Sequence, residues 1–331
     1  MTDLHLTFAA NASHQIQDLI TQRIKPSGID LTFLDMSIEE NNDRFMHFHE
    51  WEVSEVSFGN FCSVMGRDNP PVIGLPIPTS RVFRHSAIYV NEKSGIKSPS
   101  QLKGGKIGIP QWSQTATIYV RGLLSHDYGV PLESVEWVQA GVNDPGRQET
   151  AQIKLPASIR LSSRPDRALG EMLAKCELDA IISARPPKLF AQGGHGLRRL
   201  FENFREEEER YYAKTGVFPI MHMVALRRDA YEANRWIARN LFEAFDAAKK
   251  GSIARLADQG FSYLPSAWAL QDIASEYQTL FKSGDPWPYG VEDNIKTFEA
   301  FFAYCHEQGI TPRRLTPDDL FPNELSLKIR I

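Results

Sequence analysis

The feature that most constrains this chain is a repeated switch between two hydrophobic periods. In each switch, alternation of polar and apolar residues, which indicates a strand, adjoins apolar residues at helical spacing. The switches lie at residues 3–24, at residues 106–124 and, in helix-then-strand order, at residues 169–183. Because strands that alternate with helices form sheets covered by helices, the pattern predicts an α/β fold.

One segment indicates how these α/β units are arranged. Residues 95–109, GIKSPSQLKGGKIGI, resemble the segment that opens the second lobe of type II solute-binding proteins. The resemblance implies a two-lobed, type II periplasmic-binding-protein-like architecture with a ligand cleft between the lobes, and chain crossings near residues 86–91 and 219–226. The expected division is a discontinuous first lobe, residues 1–87 and 224–331, and a second lobe, residues 88–223.

A long helix is predicted directly after the return crossing. Asp229 and Glu232 have capping-box spacing, and one apolar stripe runs from Trp236 to Phe245. Gly251 follows two lysines and predicts the end of this helix. The acidic run at residues 206–209 is predicted to be a solvated helix face.

Composition limits the partners of the chain. The 331 residues carry a formal net charge of -4, which gives no global positive field for non-specific nucleic-acid binding. No run approaches the ~20 apolar residues that cross a bilayer, and the first residues lack the basic and apolar regions of a secretory signal. We therefore expect a cytoplasmic protein, bound neither to nucleic acid nor to a membrane, whose partner is a small ligand. A homo-oligomer is left open.

Several chemical signatures are missing from the sequence. It contains no G-x-G-x-x-G, no G-x-x-x-x-G-K-[ST], no G-x-S-x-G and no H-E-x-x-H. The three cysteines lack C-x-x-C spacing, which argues against a disulfide framework and a zinc knuckle. We therefore predict neither an organic cofactor nor a nucleotide-driven, serine-hydrolase or zinc-protease activity.

Basic and polar residues instead cluster near the predicted ends of strands, where open α/β sheets bind ligands. The first cluster contains Arg81, Arg84, His85 and Ser86, just before a predicted strand. An arginine there can hold a carboxylate through two parallel hydrogen bonds. A surface arginine beside a backbone-satisfied hinge histidine would explain the same residues.

The second cluster, residues 110–116, ends one predicted strand and opens a helix. Ser113 is the predicted N-cap, and the free N–H groups behind it form an anion site with the helix dipole. Trp112 would supply an aromatic wall. The other polar members are Gln111, Gln114 and Thr115. Capping alone would also explain Ser113.

Two further arginines follow a turn and a strand. Arg147 lies in the turn at residues 144–149, and Arg185 follows the strand predicted at residues 178–183. Together with the arginines of the first cluster, they predict a polyanionic small ligand.

Other histidines and acids leave two alternatives open. His47, His49, Glu50 and Glu52 offer metal-ligating groups, but they lack a third partner at recognisable spacing, so we predict no metal. His222 lies on the return crossing, where it can be a buried, satisfied histidine or can face the cleft.

Taken together, these segments resemble the 4,5-dihydroxyphthalate decarboxylase family. The resembling segments, which occur in one order, are residues 52–57, 81–91, 110–116, 121–122, 144–149, 177–180, 184–187 and 215–222. Each is short, and the specificity lies in their joint occurrence. The resemblance covers about residues 4–251.

The resemblance implies a decarboxylase, a carboxy-lyase that converts 4,5-dihydroxyphthalate to 3,4-dihydroxybenzoate and carbon dioxide in phthalate degradation. Each carboxylate-bearing carbon lies para to a hydroxyl, so the ring can be protonated at that carbon with the charge delocalised onto the phenol oxygen. Carbon dioxide then leaves and aromaticity returns. The reaction needs a general acid at that carbon and a clamp for the retained carboxylate, and a second group can accept the phenol proton.

The resemblance also suggests roles for particular residues. His85 or His222 is the expected proton donor, and Glu55 is the alternative acid or the phenol base. The residues expected to bind substrate, a small aromatic or polar carboxylate, are Arg81, Arg84, Ser86, Gln111, Trp112, Ser113, Gln114, Thr115, Arg147 and Arg185. A solute-binding or sensor protein for a small carboxylate would share the fold and is the alternative function.

Overall fold

The computed structural model describes residues 2–149, 151–258, 265–281 and 284–326. The strands of this part are β1 (Leu4–Ala10), β2 (Ile29–Asp35), β3 (Val53–Ser57), β4 (Val72–Arg81), β5 (Ile88–Asn91), β6 (Lys106–Ile109), β7 (Glu136–Gly141), β8 (Arg160–Ala168), β9 (Ala180–Ile182), β10 (Leu197–Arg199) and β11 (Ile220–Arg227). Its α-helices are α1 (Gln17–Ile20), α2 (Ile38–Phe48), α3 (Phe58–Met65), α4 (Thr115–His126), α5 (Leu169–Ala174), α6 (Lys188–Gln192), α7 (Phe204–Thr215), α8 (Arg228–Ala233), α9 (Trp236–Ala257), α10 (Ala269–Thr279), α11 (Ile295–Glu307), α12 (Pro317–Leu320) and α13 (Asn323–Ser326). Among the helices described, none combines the length and apolar character needed to cross a bilayer.

The strands form two sheets, which define two lobes. The sheet of the first lobe has the order β2-β1-β3-β11-β4, and the sheet of the second lobe has the order β10-β5-β9-β6-β7-β8. Strands β1, β2 and β3 are parallel, whereas β11 runs antiparallel to both β3 and β4. The chain therefore leaves the first sheet after β4 and returns to it as β11. The predicted α/β class is confirmed.

The chain returns to the first sheet at the start of β11. β11 begins at Ile220, which pairs with Arg81, and His222 pairs with Ser57. The predicted boundary between residues 223 and 224 thus falls inside the strand. An apolar run continues from Ile220 to Leu226, and breaking the strand within it would leave backbone groups of the ladder unpaired.

Apolar side chains pack a helix on the first sheet and also connect the two lobes. Helix α9 lies on the first sheet, where Phe245 meets Phe8 edge to face at 5.1 Å between ring centroids. Helix α11 packs on both lobes: Phe301 stacks on Phe58 of α3 at 4.5 Å and on Tyr119 of α4 at 4.6 Å. The starts of α3 and α4 are therefore held side by side.

The prediction for the helix after the return crossing is wrong at both the start and the end of that helix. Two helices, α8 and α9, replace it, and Asp229 accepts hydrogen bonds from Arg227 and from the Ala230 N–H instead of closing a capping box. Gly251 does not end α9, which continues to Ala257. A Cβ on Gly251 would lie 2.8 Å from Asp18 Oδ2, so the glycine serves a close contact.

The acidic run in α7 is not uniformly solvated as predicted. Glu208 turns inward, and its Oε1 accepts a hydrogen bond from the Ser86 N–H at 3.3 Å. Burial raises the pKa of Glu208 to about 7. Hydrophobic periodicity cannot reveal this, because the partner of Glu208 is 122 residues away in the sequence.

Glu208 gives the stability of the protein a specific pH dependence. Its pKa is about 7 in the folded protein and near 4.5 in the unfolded chain, so the folded state binds more protons between these pH values. The contribution of this side chain to stability therefore falls as pH rises through that window. Glu208→Gln should match wild type near pH 5 and exceed its free energy of unfolding at pH 8 by about 1–3 kcal/mol.

Urea unfolding at both pH values measures this difference. Glu206→Gln, on the exposed side of the same helix, is the matched control and should follow wild type at both pH values. A Glu208→Gln variant whose stability differs from wild type equally at pH 5 and pH 8 would contradict the prediction.

Candidate active site

A cavity of about 750 Å³ opens between the two lobes, a size that suits a small organic ligand. The first lobe contributes the acidic face of α2, the start of α3 and β11. Arg84 lies on the connection between β4 and β5, and the second lobe contributes the loop before α4, the turn before β8 and the end of β9. The lining residues are Ile38, Glu39, Glu40, Asn42, Asp43, Ser57, Asn60, Arg84, Gln111, Gln114, Thr115, Ala116, Gly146, Arg147, Gln148, Ala184, Arg185, Met221 and His222.

His222 and Glu55 form a hydrogen-bonded pair on neighbouring strands. His222 of β11 pairs with Ser57 of β3, two residues from Glu55, so both side chains lie on the same face of the sheet. His222 Nδ1 lies 2.9 Å from Glu55 Oε1. Glu55 is buried, and it also accepts hydrogen bonds from Thr79 Oγ1 at 2.9 Å and from the Asn11 N–H at 3.1 Å.

These hydrogen bonds determine the charge of Glu55 and the tautomer of His222. Burial by itself raises the pKa of Glu55, but the bonds from His222, Asn11 and Thr79 outweigh it and hold that pKa below its usual range. An ionised carboxylate only accepts hydrogen bonds, so His222 Nδ1 carries the hydrogen. The other ring nitrogen, Nε2, is the one left for proton transfer at the cavity.

Three arginines contribute to the cavity, each with different partners. Arg84 donates to Met221 Sδ and to the Ala184 carbonyl, both at 3.1 Å, and no carboxylate of the described residues lies within ion-pair distance of it. Burial lowers the pKa of Arg84 to about 10, so it is still protonated at neutral pH. Arg147 donates to Gln111 Oε1 at 2.6 Å, and the exposed Arg185 pairs with Glu39 of the opposite lobe at 3.0 Å.

Two helices begin at the floor of the cavity. Thr115 Oγ1, at the start of α4, lies 2.9 Å from Ser57 Oγ and accepts a hydrogen bond from the Gly59 N–H of α3, also at 2.9 Å. Gln114, the N-cap of α4, makes no side-chain capping bond. Open N–H groups and aligned helix dipoles favour an anion at this floor.

Part of the first predicted cluster lies away from the cavity. Arg81 is buried and donates to the carbonyls of Phe218 and Pro288, both at 3.0 Å. His85 is also buried, and neither of its ring nitrogens has a hydrogen-bond partner among the described residues. Burial lowers the pKa of His85 to about 4, so the ring is neutral at pH 7. The Ser86 N–H donates to Glu208, outside the cavity lining.

The loop before α4 is also divided between the cavity and the core. Gln111, Gln114 and Thr115 line the cavity, whereas Trp112 is fully buried and donates from Nε1 to the Gln308 carbonyl at 2.8 Å. Ser113 is not the N-cap as predicted, since Gln114 has that position. The Ser113 hydroxyl instead donates to Glu149.

The sequence analysis missed the acidic face of α2. Glu39, Glu40 and Asp43 line the cavity opposite the arginines, and Asn42 Oδ1 accepts a hydrogen bond from the Ser57 N–H at 2.9 Å. In the sequence, acidic residues of a short amphipathic helix look like a solvated face. Only the three-dimensional arrangement of the two lobes shows that these residues line the cavity. The alternation of β11 could have indicated that His222 faces Glu55, had the β3 pairing been known.

The potential metal ligands are engaged elsewhere. Glu50 accepts two hydrogen bonds from the Arg44 Nε, both at 3.1 Å, and His47 Nδ1 lies 2.9 Å from the Asp43 carbonyl oxygen. Within the described ranges, no group of three or more His, Cys, Asp or Glu side chains is arranged to hold a metal ion.

Two known proteins resemble the chain over different shares of its length. The 4,5-dihydroxyphthalate decarboxylase of Comamonas testosteroni is 31% identical over 322 residues, which cover 97% of each chain. The 4,5-dihydroxyphthalate decarboxylase of Pseudomonas putida is 34% identical over 194 residues, or 58% of this chain and 75% of that protein. No family model matches the chain.

Solved structures identify the fold. The periplasmic sulfonate-binding protein of Methylobacillus flagellatus matches with a TM-score of 0.55 at 14% identity, over 98% of this chain and 93% of that one. The periplasmic aliphatic sulphonate binding protein of Escherichia coli matches with a TM-score of 0.51 at 14% identity, over 100% of this chain and 95% of that one. The predicted periplasmic-binding-protein-like fold is confirmed.

Close contact at the cavity floor should make Gly59 intolerant of a side chain. A Cβ on Gly59 would lie 2.4 Å from the Ser113 carbonyl oxygen, so α3 and the loop before α4 would have to separate. We expect Gly59→Ala to lower the free energy of unfolding by about 1–3 kcal/mol, measured by urea unfolding. A variant as stable as wild type would show that the two lobes can separate here without cost.

Proposed function

The chain belongs to the 4,5-dihydroxyphthalate decarboxylase family, and we propose that it is a carboxy-lyase that converts 4,5-dihydroxyphthalate to 3,4-dihydroxybenzoate and carbon dioxide. The observation that carries the proposal is the His222–Glu55 pair, which shares one cavity with arginines suited to two carboxylates. The proposal includes the cytoplasmic location and the role in aromatic-compound catabolism predicted from the sequence. It requires no organic cofactor, because the para hydroxyl of the substrate supplies the electrons.

In the proposed mechanism, His222 protonates the ring carbon that loses its carboxylate. The imidazolium donates the Nε2 proton to that carbon while the para hydroxyl oxygen delocalises the positive charge. The carbon–carboxylate bond then breaks, its electron pair restores the aromatic ring and carbon dioxide leaves. One proton is consumed for each carbon dioxide released.

Glu55 is assigned a positioning role in this mechanism. Its carboxylate fixes Nδ1 of His222 as a donor and stabilises the imidazolium, as a buried carboxylate does for a catalytic histidine. The Thr79 hydroxyl and the Asn11 N–H hold Glu55 in place. Its burial and these bonds support a role that acts through His222.

The cations of the cavity are proposed to bind the carboxylates unequally. Arg84 and the start of α4 suit the retained carboxylate, since an arginine and open helix N–H groups lie at the same cavity. The departing carboxylate should lie farther from the cations, because stabilising a charge that disappears in the transition state slows the reaction.

The location of the two histidines favours one proton donor. His85 is buried outside the cavity lining and its pKa is about 4, whereas His222 lines the cavity. We therefore assign the proton transfer to His222 and propose a packing role for His85 and Arg81.

Replacing the proposed donor should remove general acid catalysis. We expect His222→Gln to lower kcat for 4,5-dihydroxyphthalate by ~10²–10⁴-fold. Carbon dioxide release measures this effect, with and without a chelator, after the variant is shown to fold. His126→Gln, whose imidazole pairs with Glu307 on the surface, is the control and should keep the wild-type rate. A near-normal rate in His222→Gln would remove this residue from the chemistry.

Replacing arginines should weaken carboxylate binding in a graded way. Calorimetry with phthalate, which lacks the hydroxyls that activate the ring, isolates binding from turnover. We expect Arg84→Ala to lose ~2–5 kcal/mol of binding free energy because this cation is largely desolvated. Arg185→Ala should lose less, since Arg185 is exposed and already pairs with Glu39.

A matched control tests whether the loss is specific to the cavity. Arg164 pairs with Asp166 on the outer strand β8, so Arg164→Ala should bind phthalate like wild type. Unchanged binding in both Arg84→Ala and Arg147→Ala would refute the proposed site.

A carboxylate-binding or sensor protein is the second candidate, because the solved structures that share the fold include periplasmic binding proteins. Release of carbon dioxide distinguishes the two functions. Tight binding of 4,5-dihydroxyphthalate without release would favour the binding protein.

A further inference from the structure

The turn that carries Arg147 into the cavity is held by a carboxylate two residues farther along the chain. Glu149 Oε2 accepts hydrogen bonds from the Trp112 N–H at 2.6 Å and from the Ser113 N–H at 3.1 Å. Its Oε1 accepts a hydrogen bond from the Ser113 hydroxyl. The chain's own carboxylate therefore occupies two N–H groups that precede α4. The N–H groups behind Ser113, where the sequence predicts an anion, belong to the start of α4.

The side chain of Gln111, in the loop before α4, also bonds to the Arg147 turn. Gln111 Nε2 donates to the Gln148 carbonyl at 2.8 Å, and Gln111 Oε1 accepts from Arg147 Nη2 at 2.6 Å. The loop before α4 and the Arg147 turn thus exchange hydrogen bonds at Arg147 and at the two residues that follow it. The turn is otherwise exposed, and its other described contacts include a hydrogen bond from the Gly146 N–H to the Pro165 carbonyl at 2.8 Å and an ion pair between Asp144 and Lys188 at 3.2 Å.

A buried cation lies behind this contact. The guanidinium of Arg121 is fully buried, lies 3.8 Å from the centroid of the Trp112 ring and donates to the Trp112 carbonyl at 2.5 Å. Burial lowers the pKa of Arg121 to about 9, and the negative charge of Glu149 acts against that shift. Arg121 and Glu149 therefore hold the Trp112 backbone at its carbonyl and its N–H.

We propose that Glu149 is a positioning residue for Arg147: its carboxylate binds the Trp112 and Ser113 amides as an internal anion and fixes the Arg147 turn at the cavity before substrate binds. Because these amides are filled, the retained carboxylate of the substrate is directed to Arg84, Arg147 and the start of α4. The kinetic consequence of this role rests on the proposed function, whereas its structural consequence does not.

The structural consequence is tested without substrate. Hydrogen exchange of the amides of residues 143–149 is compared in wild type, Glu149→Ala and Glu149→Gln, each confirmed as folded by its thermal unfolding. We expect exchange at least ~10-fold faster in Glu149→Ala, because the turn loses the hydrogen bonds that join Glu149 to Trp112 and Ser113. Glu149→Gln keeps one acceptor oxygen and should fall between. Glu177→Gln, which breaks a surface pair with Arg167, is the control and should leave the turn unchanged.

The kinetic consequence is a change in KM that depends on Arg147. We expect Glu149→Ala to raise KM for 4,5-dihydroxyphthalate by ~10-fold or more with kcat within about threefold, the pattern of lost uniform binding. Glu149→Asp, which restores the charge, should recover part of the loss. If Glu149 acts through Arg147, adding Glu149→Ala to Arg147→Ala should not raise KM further.

Three results would overturn the inference: unchanged exchange in Glu149→Ala, an unchanged KM, or additive losses in the double variant. Failure of the proposed function looks different, since wild type would then release no carbon dioxide. In that event the exchange measurement, together with calorimetric binding of phthalate to the same variants, still decides the role of Glu149.

Discussion

The antiparallel pairing of β11 with β3 is the interaction on which the site depends. It brings together His222 and Glu55, which are 167 residues apart in the sequence, after the chain has formed the second lobe. Without His222, the buried Glu55 would lose the hydrogen bond from the imidazole and keep those from the Asn11 N–H and the Thr79 hydroxyl. Since an uncompensated buried charge costs several kcal/mol, the return of β11 stabilises the first lobe and completes the proposed acid at once.

Local sequence patterns predicted the strands and helices that have strong hydrophobic periodicity. They failed where a contact with a residue distant in the sequence determines the structure. β1, β6 and α4 lie where alternation or helical spacing indicated them. The glycine at 251 looked like a helix end because its role, contact with Asp18, depends on a residue more than 200 positions away. Glu208 looked solvated for the same reason, since Ser86 lies on another element.

The predicted site residues divide by what their side chains contact. Those that line the cavity are Arg84, Gln111, Gln114, Thr115, Arg147, Arg185 and His222; those that lie away from it are Arg81, His85, Ser86, Trp112 and Ser113. Sequence cannot separate a binding arginine from a packing one, because both occur beside aromatic residues. Arg81 and Arg121 are buried against aromatic rings and donate to carbonyls, whereas Arg84 keeps part of its guanidinium for the cavity.

A two-lobed binding fold can support this chemistry only if closure brings a clamp and an acid to one ligand. Here Arg147 and Arg185 belong to the second lobe, Arg84 lies on the connection between β4 and β5, and His222 belongs to the first lobe, so neither lobe contains the whole proposed site. The lobes meet in two ways. At the floor, Gly59 and Thr115 make a close hydrogen-bonded contact, whereas at the mouth the exposed Arg185 and Glu39 form a pair that is worth at most about 1 kcal/mol. The floor therefore keeps His222 and the start of α4 in register, while the mouth can open for substrate at little cost.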